Sequence, residues 1–271
     1  MGASFAVEVE KLRRRPAGPV LAGILVAFIA LVGYAANYAV LSASGGGAQS
    51  PFAQVVLPAG MPSNVLNAIP SVGAALAVIL GAMFMGSEYR WDTVKASVVR
   101  RPGRVGLLGG KMLALLAAAA VFALAALLTG LVCSLVIALL QGAGLASPPL
   151  AETTAALGAG WLILSTYAVL GLFFAVLVRG SGAAVAFGLV YVLILESILS
   201  SLAGQLPGGQ SVGAVLPGGA AQTLVGAMGQ QGGAAGSGPL SSPFVALAVL
   251  AGWLVLLGAL SMILFVRRDA P

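Results

Sequence analysis

The residues of this chain that could do chemistry are few and unevenly placed. The 271 residues include thirteen basic and seven acidic side chains, and Glu196 is the one acid well inside an apolar stretch. An acid within a membrane is by default a functional candidate. Eight further charges lie between positions 86 and 111: Glu88, Arg90, Asp92, Lys95, Arg100, Arg101, Arg104 and Lys111. Their mixed signs at close spacing are typical of docking to a protein surface.

The residues that make common catalytic and metal sites are largely absent from the sequence. It has no histidine and one cysteine, Cys133, which excludes internal disulfides, Cys/His zinc sites and histidine-dependent triads. The run GLLGGK ending at Lys111 resembles a phosphate loop, but Val105 and Met112 stand where such a loop needs glycine and Ser or Thr. We therefore predict that the chain is not an enzyme and binds no cofactor. Cys133 is predicted to be a small buried hydrophobe.

The composition indicates an all-α integral membrane protein. Hydrophobic residues make up 60% of the chain, charged residues only 7%, and the mean hydropathy is +1.07. Soluble domains have about a quarter of their residues charged. The net charge of +6 suggests anchoring at an anionic membrane surface. Nucleic acid is not an expected partner, because the basic residues are divided among separate short segments.

Six segments are long enough to cross a bilayer, which requires about 20 apolar residues each. Asn67 and Pro70 interrupt the second one, where we expect a kink. The first is too long for the apolar region of a signal peptide. The predicted spans are residues 20–41, 65–85, 112–140, 155–178, 183–202 and 244–266.

With six spans, all thirteen basic residues fall on one side of the membrane. The opposite loops, 42–64, 141–154 and 203–243, contain no Lys or Arg and one acid, Glu152. Because basic residues favour the cytoplasmic side, we predict a multi-pass protein of the cell membrane with both termini cytoplasmic. The segment 86–111 is then the largest cytoplasmic loop, too short to fold around its own core. It either docks to a partner or is a solvated loop that only sets topology.

The N-terminal residues predict a short amphipathic helix on the cytoplasmic leaflet. Phe5, Val9 and Leu12 share one helical face, whereas Glu8 and Lys11 lie on another. The alternative is a basic tail that serves topology alone.

Three features of the membrane region leave alternatives open. Glu196 lies roughly 20 Å above the cytoplasmic end of its span, and its main polar partner must come from another helix, the outer segment, a second subunit or water. It is either functional or structural. Gly73, Ala77 and Gly81 predict a close helix contact, within or between subunits. The outer segment 203–243 is interpreted as short re-entrant or interfacial pieces followed by a glycine-rich stretch, or as a loop.

This pattern resembles the type 2 permeases of ATP-binding-cassette (ABC) exporters along the whole chain. The specific part is the loop between the second and third spans, which in that family reads Glu-Tyr-Arg, Thr, Pro-x-Arg and Lys. Here those places hold Glu88-Tyr89-Arg90, Thr93, Pro102-Gly103-Arg104 and Lys111. Asp92 departs from the usual glycine and adds an acid. The hairpin of the fourth and fifth spans, with Arg179 and Glu196, is also similar.

The resemblance implies that 86–111 contains a coupling helix seated in a cleft of a separate ATPase subunit, which would bind ATP and Mg. It implies a second permease copy or a paralogue, and an exporter whose substrate the sequence leaves open. An ion-coupled secondary transporter and a non-transporting membrane scaffold are the alternatives. The residues expected to couple to the ATPase are Glu88, Tyr89, Arg90, Asp92, Thr93, Arg104, Lys111 and Arg179.

Overall fold

A computed structural model describes residues 7–12, 16–43, 50–90, 103–142, 148–205, 210–229 and 242–268. These residues are almost entirely helical, and no strand occurs among them. Six helices are long and apolar enough to cross a membrane, which confirms the predicted number and the class of multi-pass membrane protein. In chain order, spans 1 to 6 are Ala17–Ala43, Pro58–Tyr89, Gly106–Leu140, Leu150–Val178, Ser181–Leu199 and Pro243–Arg267.

The helices of spans 2 and 3 run farther than the apolar pattern predicts. The last α-helical part of span 2 is Ala74–Arg90, and span 3 belongs to a helix of 38 residues, Gly103–Leu140. At 1.5 Å per residue that helix is about 57 Å long, whereas the bilayer core is about 30 Å thick. Both ends of the predicted loop 86–111 are therefore helical. Polar residues can continue a helix beyond the bilayer, because the backbone hydrogen bonds of a helix do not depend on apolar side chains. The predicted coupling helix falls largely on 91–102, outside the described residues.

Span 2 departs from α geometry where its proline lies. The α-helix Met61–Ala68 passes into a π-helical segment, Ile69–Gly73, which contains Pro70. Proline cannot donate the normal backbone hydrogen bond, and a wider turn accommodates the interruption. The irregularity that Pro70 predicts is thus present.

Spans 2 and 4 form the centre of the bundle. In the most apolar stretch of each span, 72% of the residues of span 2 and 67% of those of span 4 are buried, compared with 17–22% in spans 1, 5 and 6. A Cβ at Gly81 would overlap the carbonyl oxygen of Ala168, and a Cβ at Gly171 would overlap that of Val78. The backbones of the two spans therefore touch, as small residues permit in membranes. The contact that Gly81 predicts lies within this chain.

Between spans 5 and 6 the described residues include two short helices, Gln210–Val215 and Pro217–Gly229. The second, which we call the plug helix, contacts spans 2, 4 and 6. Its residues described as buried are Pro217, Ala220, Ala221, Leu224 and Val225. These helices lie in the outer segment where short re-entrant or interfacial pieces are predicted, and the glycine-rich residues 230–241 lie outside the described part of the chain.

Candidate functional site

Two lysines and two glutamates from three parts of the chain meet at one end of the bundle. This four-charge cluster consists of Glu8, Lys11, Glu88 and Lys111. The Lys111 Nζ donates to Glu88 Oε1 at 2.6 Å and to Glu8 Oε2 at 2.8 Å. The Lys11 Nζ donates to Glu8 Oε1 at 2.7 Å and lies 3.4 Å from Glu88 Oε1. The cluster joins the N-terminal helix to the ends of spans 2 and 3.

The centre of the cluster is buried. Glu8, Glu88 and Lys111 are only 2, 4 and 1% exposed, whereas the Lys11 side chain is 38% exposed. The Lys111 ammonium also lies 4.6 Å from the centre of the Phe84 ring, which adds a cation–π contact. Buried charges are tolerated when they are paired and hydrogen-bonded. Two lysines and two carboxylates balance, so the cluster has no net charge while it is assembled.

The pKa values of the N-terminal pair follow from this pairing. Burial alone raises the pKa of the Glu8 carboxyl, but the charge of Lys111 and the hydrogen bonds from both lysines outweigh it and lower that pKa below its ordinary value. Burial likewise lowers the pKa of Lys11, but the hydrogen bond and charge of Glu8 and the charge of Glu88 raise it overall. Both groups are therefore charged at neutral pH.

The N-terminal helix, residues 7–12, turns its charged face toward the bundle. Glu8 and Lys11 are three residues apart and therefore share a face, as expected. That face is turned to the protein, however, because Glu8 is buried against Lys111, while Val7 and Val9 are exposed. An apolar pattern alone does not reveal a buried lysine elsewhere in the chain.

The remaining predicted coupling residues lie around this end. Tyr89 packs partly buried against the core, Arg90 ends the helix Ala74–Arg90, and Arg104 lies in the first turn of Gly103–Leu140. Asp92 and Thr93 lie outside the described residues. The cluster therefore brings together Glu88 and Lys111, which are 23 residues apart, and adds Glu8 and Lys11, whose pairing the sequence did not predict.

Arg179 lies at the same end of the bundle. It closes span 4 in the left-handed conformation, with φ 56°, and its N–H donates to the Ala175 carbonyl at 2.9 Å. The next helix begins at Ser181, and a Cβ at Gly86 would overlap the Ser181 backbone. The turn at Arg179 and Gly180 therefore sits beside the end of span 2 that carries Glu88.

Glu196 lies on span 5, fifteen residues beyond Ser181 and so roughly 22 Å along the helix from that end. Its side chain is buried, with 6% of the residue exposed. Its Oε2 accepts a hydrogen bond from the Tyr167 hydroxyl of span 4 at 2.9 Å, and its Oε1 accepts one from the Gly218 N–H of the plug helix. The polar partners thus come from another helix and from the outer segment, two of the sources expected.

A side chain at position 218 would force the Glu196 carboxyl group to move. A Cβ at Gly218 would lie 2.6 Å from the Glu196 carboxyl carbon, closer than real Cβ contacts. Pro217 is the first residue of the plug helix, a position where proline is favoured because its missing N–H is not needed. The sequence Pro-Gly-Gly ahead of an apolar run could therefore have indicated the first turn of a helix. The glycines there would leave the backbone N–H groups accessible to a carboxylate. Tyr167, a lone tyrosine in an apolar span, gave no such signal.

Within the described ranges, no three histidine, cysteine or acidic residues converge to hold a metal ion. Residues 23–270 match the family described as "Protein of unknown function (DUF2705)". The chain belongs to this family. The matched region includes Glu88, Lys111 and Glu196, whereas residues 7–12 precede it. No curated protein matches the chain.

Proposed function

We propose that this DUF2705 protein is the membrane permease subunit of an ABC exporter, driven by a separate ATPase subunit that binds ATP and Mg. The protein would reside in the cell membrane with both termini cytoplasmic, and would form the substrate pathway with a second copy or a paralogue. The proposal rests on the resemblance in the segment between spans 2 and 3, combined with six helices of membrane length.

One observation carries the proposal furthest. Glu88 and Lys111 stand at the two ends of the motif that resembles the coupling loop, and they form an ion pair at 2.6 Å. This pair ties the helix that enters residues 91–102 to the helix that leaves them. A force applied to that segment would therefore act on spans 2 and 3 together, as coupling to an ATPase requires.

Because the Glu88–Lys111 pair is buried, we assign two different roles to the residues of the motif. Glu88 and Lys111 face inward and would position the segment rather than touch a partner. The contacts with the ATPase would then fall to the residues between them and to the adjacent turn: Tyr89, Arg90, Asp92, Thr93, Arg104 and Arg179. Their mixed charges suit a polar cleft on a partner surface.

The test is purification of the tagged chain from its native membranes in mild detergent, followed by measurement of ATP hydrolysis and identification of the bound subunit. An ABC ATPase should co-purify with hydrolytic activity. The double reversal Arg90→Glu with Arg104→Glu should remove both while the permease still inserts. The matched control is Arg267→Glu with Arg268→Glu, a double reversal at predicted cytoplasmic arginines outside the motif, which should retain the ATPase.

Failure to recover any ATPase, or equal retention of it by both double variants, would refute the proposal. Transport that follows an ion gradient and ignores ATP would instead favour a secondary transporter. A chain that neither binds an ATPase nor moves a substrate in vesicles would favour a membrane scaffold.

A further inference from the structure

The plug helix, Pro217–Gly229, lies at the end of the bundle opposite the four-charge cluster. It contacts Met61–Ala68 and the π segment Ile69–Gly73 of span 2, whereas Glu88 lies near the other end of that span. It also contacts spans 4 and 6. The helix therefore packs against three spans at this end.

Its apolar contacts are small. Ala220 and Ala221 are two of the five residues described as buried in this helix, and glycines occupy positions 218, 219, 226 and 229. In a membrane, apolar burial contributes little to helix association, because lipid is as apolar as the protein interior. Polar contacts then contribute a large share of what holds the helix in place.

The main polar contact described is at its first turn. The Glu196 carboxylate accepts the Gly218 N–H and is itself fixed by the Tyr167 hydroxyl. A carboxylate at a helix N-terminus satisfies an otherwise unpaired N–H and interacts favourably with the helix dipole. The chain just before the plug helix is anchored separately, since the Trp253 indole N–H donates to the Val215 carbonyl at 2.8 Å.

We propose that Glu196 is a latch that seats the plug helix over the interior of the bundle, and that loss of the Glu196–Gly218 contact releases this helix and uncovers that interior. Glu196 is thus a positioning residue: it acts through the helix that it caps. The inference applies to any pathway through this bundle and does not depend on an ATPase partner.

The test measures whether the plug helix is seated, using the full chain in membrane vesicles in a Cys133→Ala background. Ala221 is fully buried, whereas Gln222 beside it is exposed. A cysteine at each position is reacted with a hydrophilic maleimide. Ala221→Cys should react at most about a tenth as fast as Gln222→Cys, since a buried thiol reacts only when its surroundings open.

Adding Glu196→Leu should raise the Ala221→Cys rate by roughly three- to tenfold, the factor that corresponds to losing one buried hydrogen bond. Gly218→Ala should have a similar effect, because the new methyl group displaces the carboxylate. Glu196→Gln, which keeps an acceptor oxygen, should produce a smaller increase. The matched control is Gly226→Ala in the same helix, where a Cβ meets nothing within 4 Å and the rate should not change.

The latch is refuted if Ala221→Cys remains protected in both Glu196→Leu and Gly218→Ala, or if it already reacts as fast as Gln222→Cys without them. Equal acceleration by Gly226→Ala would also overturn it, because the helix would then be loosened by any change. Glu196→Leu alone could fail to fold. Gly218→Ala leaves the buried acid intact and gives an independent answer.

Discussion

Replacement of Lys111 by methionine tests whether the four-charge cluster holds the N-terminal helix to the bundle. Lys111 bridges Glu8 and Glu88 at 2.8 and 2.6 Å and is 1% exposed. Methionine keeps the length of the side chain and its apolar contact with Phe84 but removes the charge. Of the two ammonium groups in the cluster, only that of Lys11 then remains beside the two buried carboxylates.

The magnitude follows from the burial of the partners. Removing one member of a buried ion pair costs about 3–5 kcal/mol, because the charge left behind is uncompensated. Lys11 contacts the same two carboxylates, but its side chain is 38% exposed, and exposed pairs contribute at most about 1 kcal/mol. Lys11→Met is therefore the matched control: it has the same partners and the same substitution in a more hydrated place.

The assay is thermal unfolding of the full chain in detergent, with the yield of monodisperse protein as a second measurement. Lys111→Met should lower the melting temperature several times more than Lys11→Met. Adding Glu8→Gln to Lys111→Met should recover part of the loss, because Glu88 and Lys11 then balance. Equal effects of the two lysine substitutions, or no recovery in the double variant, would show that the cluster contributes no buried pairing energy.

Two further predictions concern sidedness and packing. In a Cys133→Ala background, an impermeant thiol reagent applied to intact cells should label Ser237→Cys and leave Ser97→Cys unlabelled. Labelling of Ser97→Cys from outside would contradict the predicted topology. Gly81→Ala should sharply lower the yield and the melting temperature, because its Cβ would overlap the Ala168 carbonyl. The control Gly158→Ala should be tolerated, because a Cβ at that position meets nothing within 4 Å. If the two variants behave alike, spans 2 and 4 do not form a rigid contact.

The contributions of Glu8 and Lys11 to the cluster should also be insensitive to pH across the neutral range. The pKa of Glu8 is lowered, so its contribution is present above the ordinary glutamate pKa of 4.5 and is lost as the pH falls through the lower folded value. The pKa of Lys11 is raised, so its contribution is complete below the ordinary lysine pKa of 10.5 and is lost as the pH rises through the higher folded value. A melting temperature that changes steeply between about pH 6 and 9 would contradict this assignment.

The number and approximate places of the spans could be predicted because length and apolar content are set by the bilayer. The bounds were less predictable. The pattern ended span 2 at residue 85 and began span 3 at residue 112, where charges appear, but the helices continue to Arg90 and back to Gly103. Charged residues exclude a segment from the bilayer core without ending its helix, so hydropathy underestimates helices that project beyond the membrane.

The four-charge cluster and the Glu196 site illustrate what a single sequence does not reveal. That Glu196 would be buried and hydrogen-bonded follows from the cost of a bare carboxylate in lipid, and the structure agrees. The identity of its partners does not follow, because Tyr167 and Gly218 reach it only once the bundle is assembled. The same holds for Lys111, whose carboxylate from Glu8 comes from a position 103 residues away.

The four-charge cluster and the Glu196 site are connected by spans 2 and 4, the most buried of the six spans. Span 2 carries Glu88 near one end and meets the plug helix at the other, and span 4 supplies Tyr167, which fixes the Glu196 carboxylate. Gly81 and Gly171 bring the backbones of these two spans into direct contact between the sites. Close-packed elements transmit displacement as units, because their interfaces do not deform continuously. A movement imposed on the cluster end would therefore reach the plug helix through spans 2 and 4, whereas the more exposed spans 1, 5 and 6 can adjust against lipid.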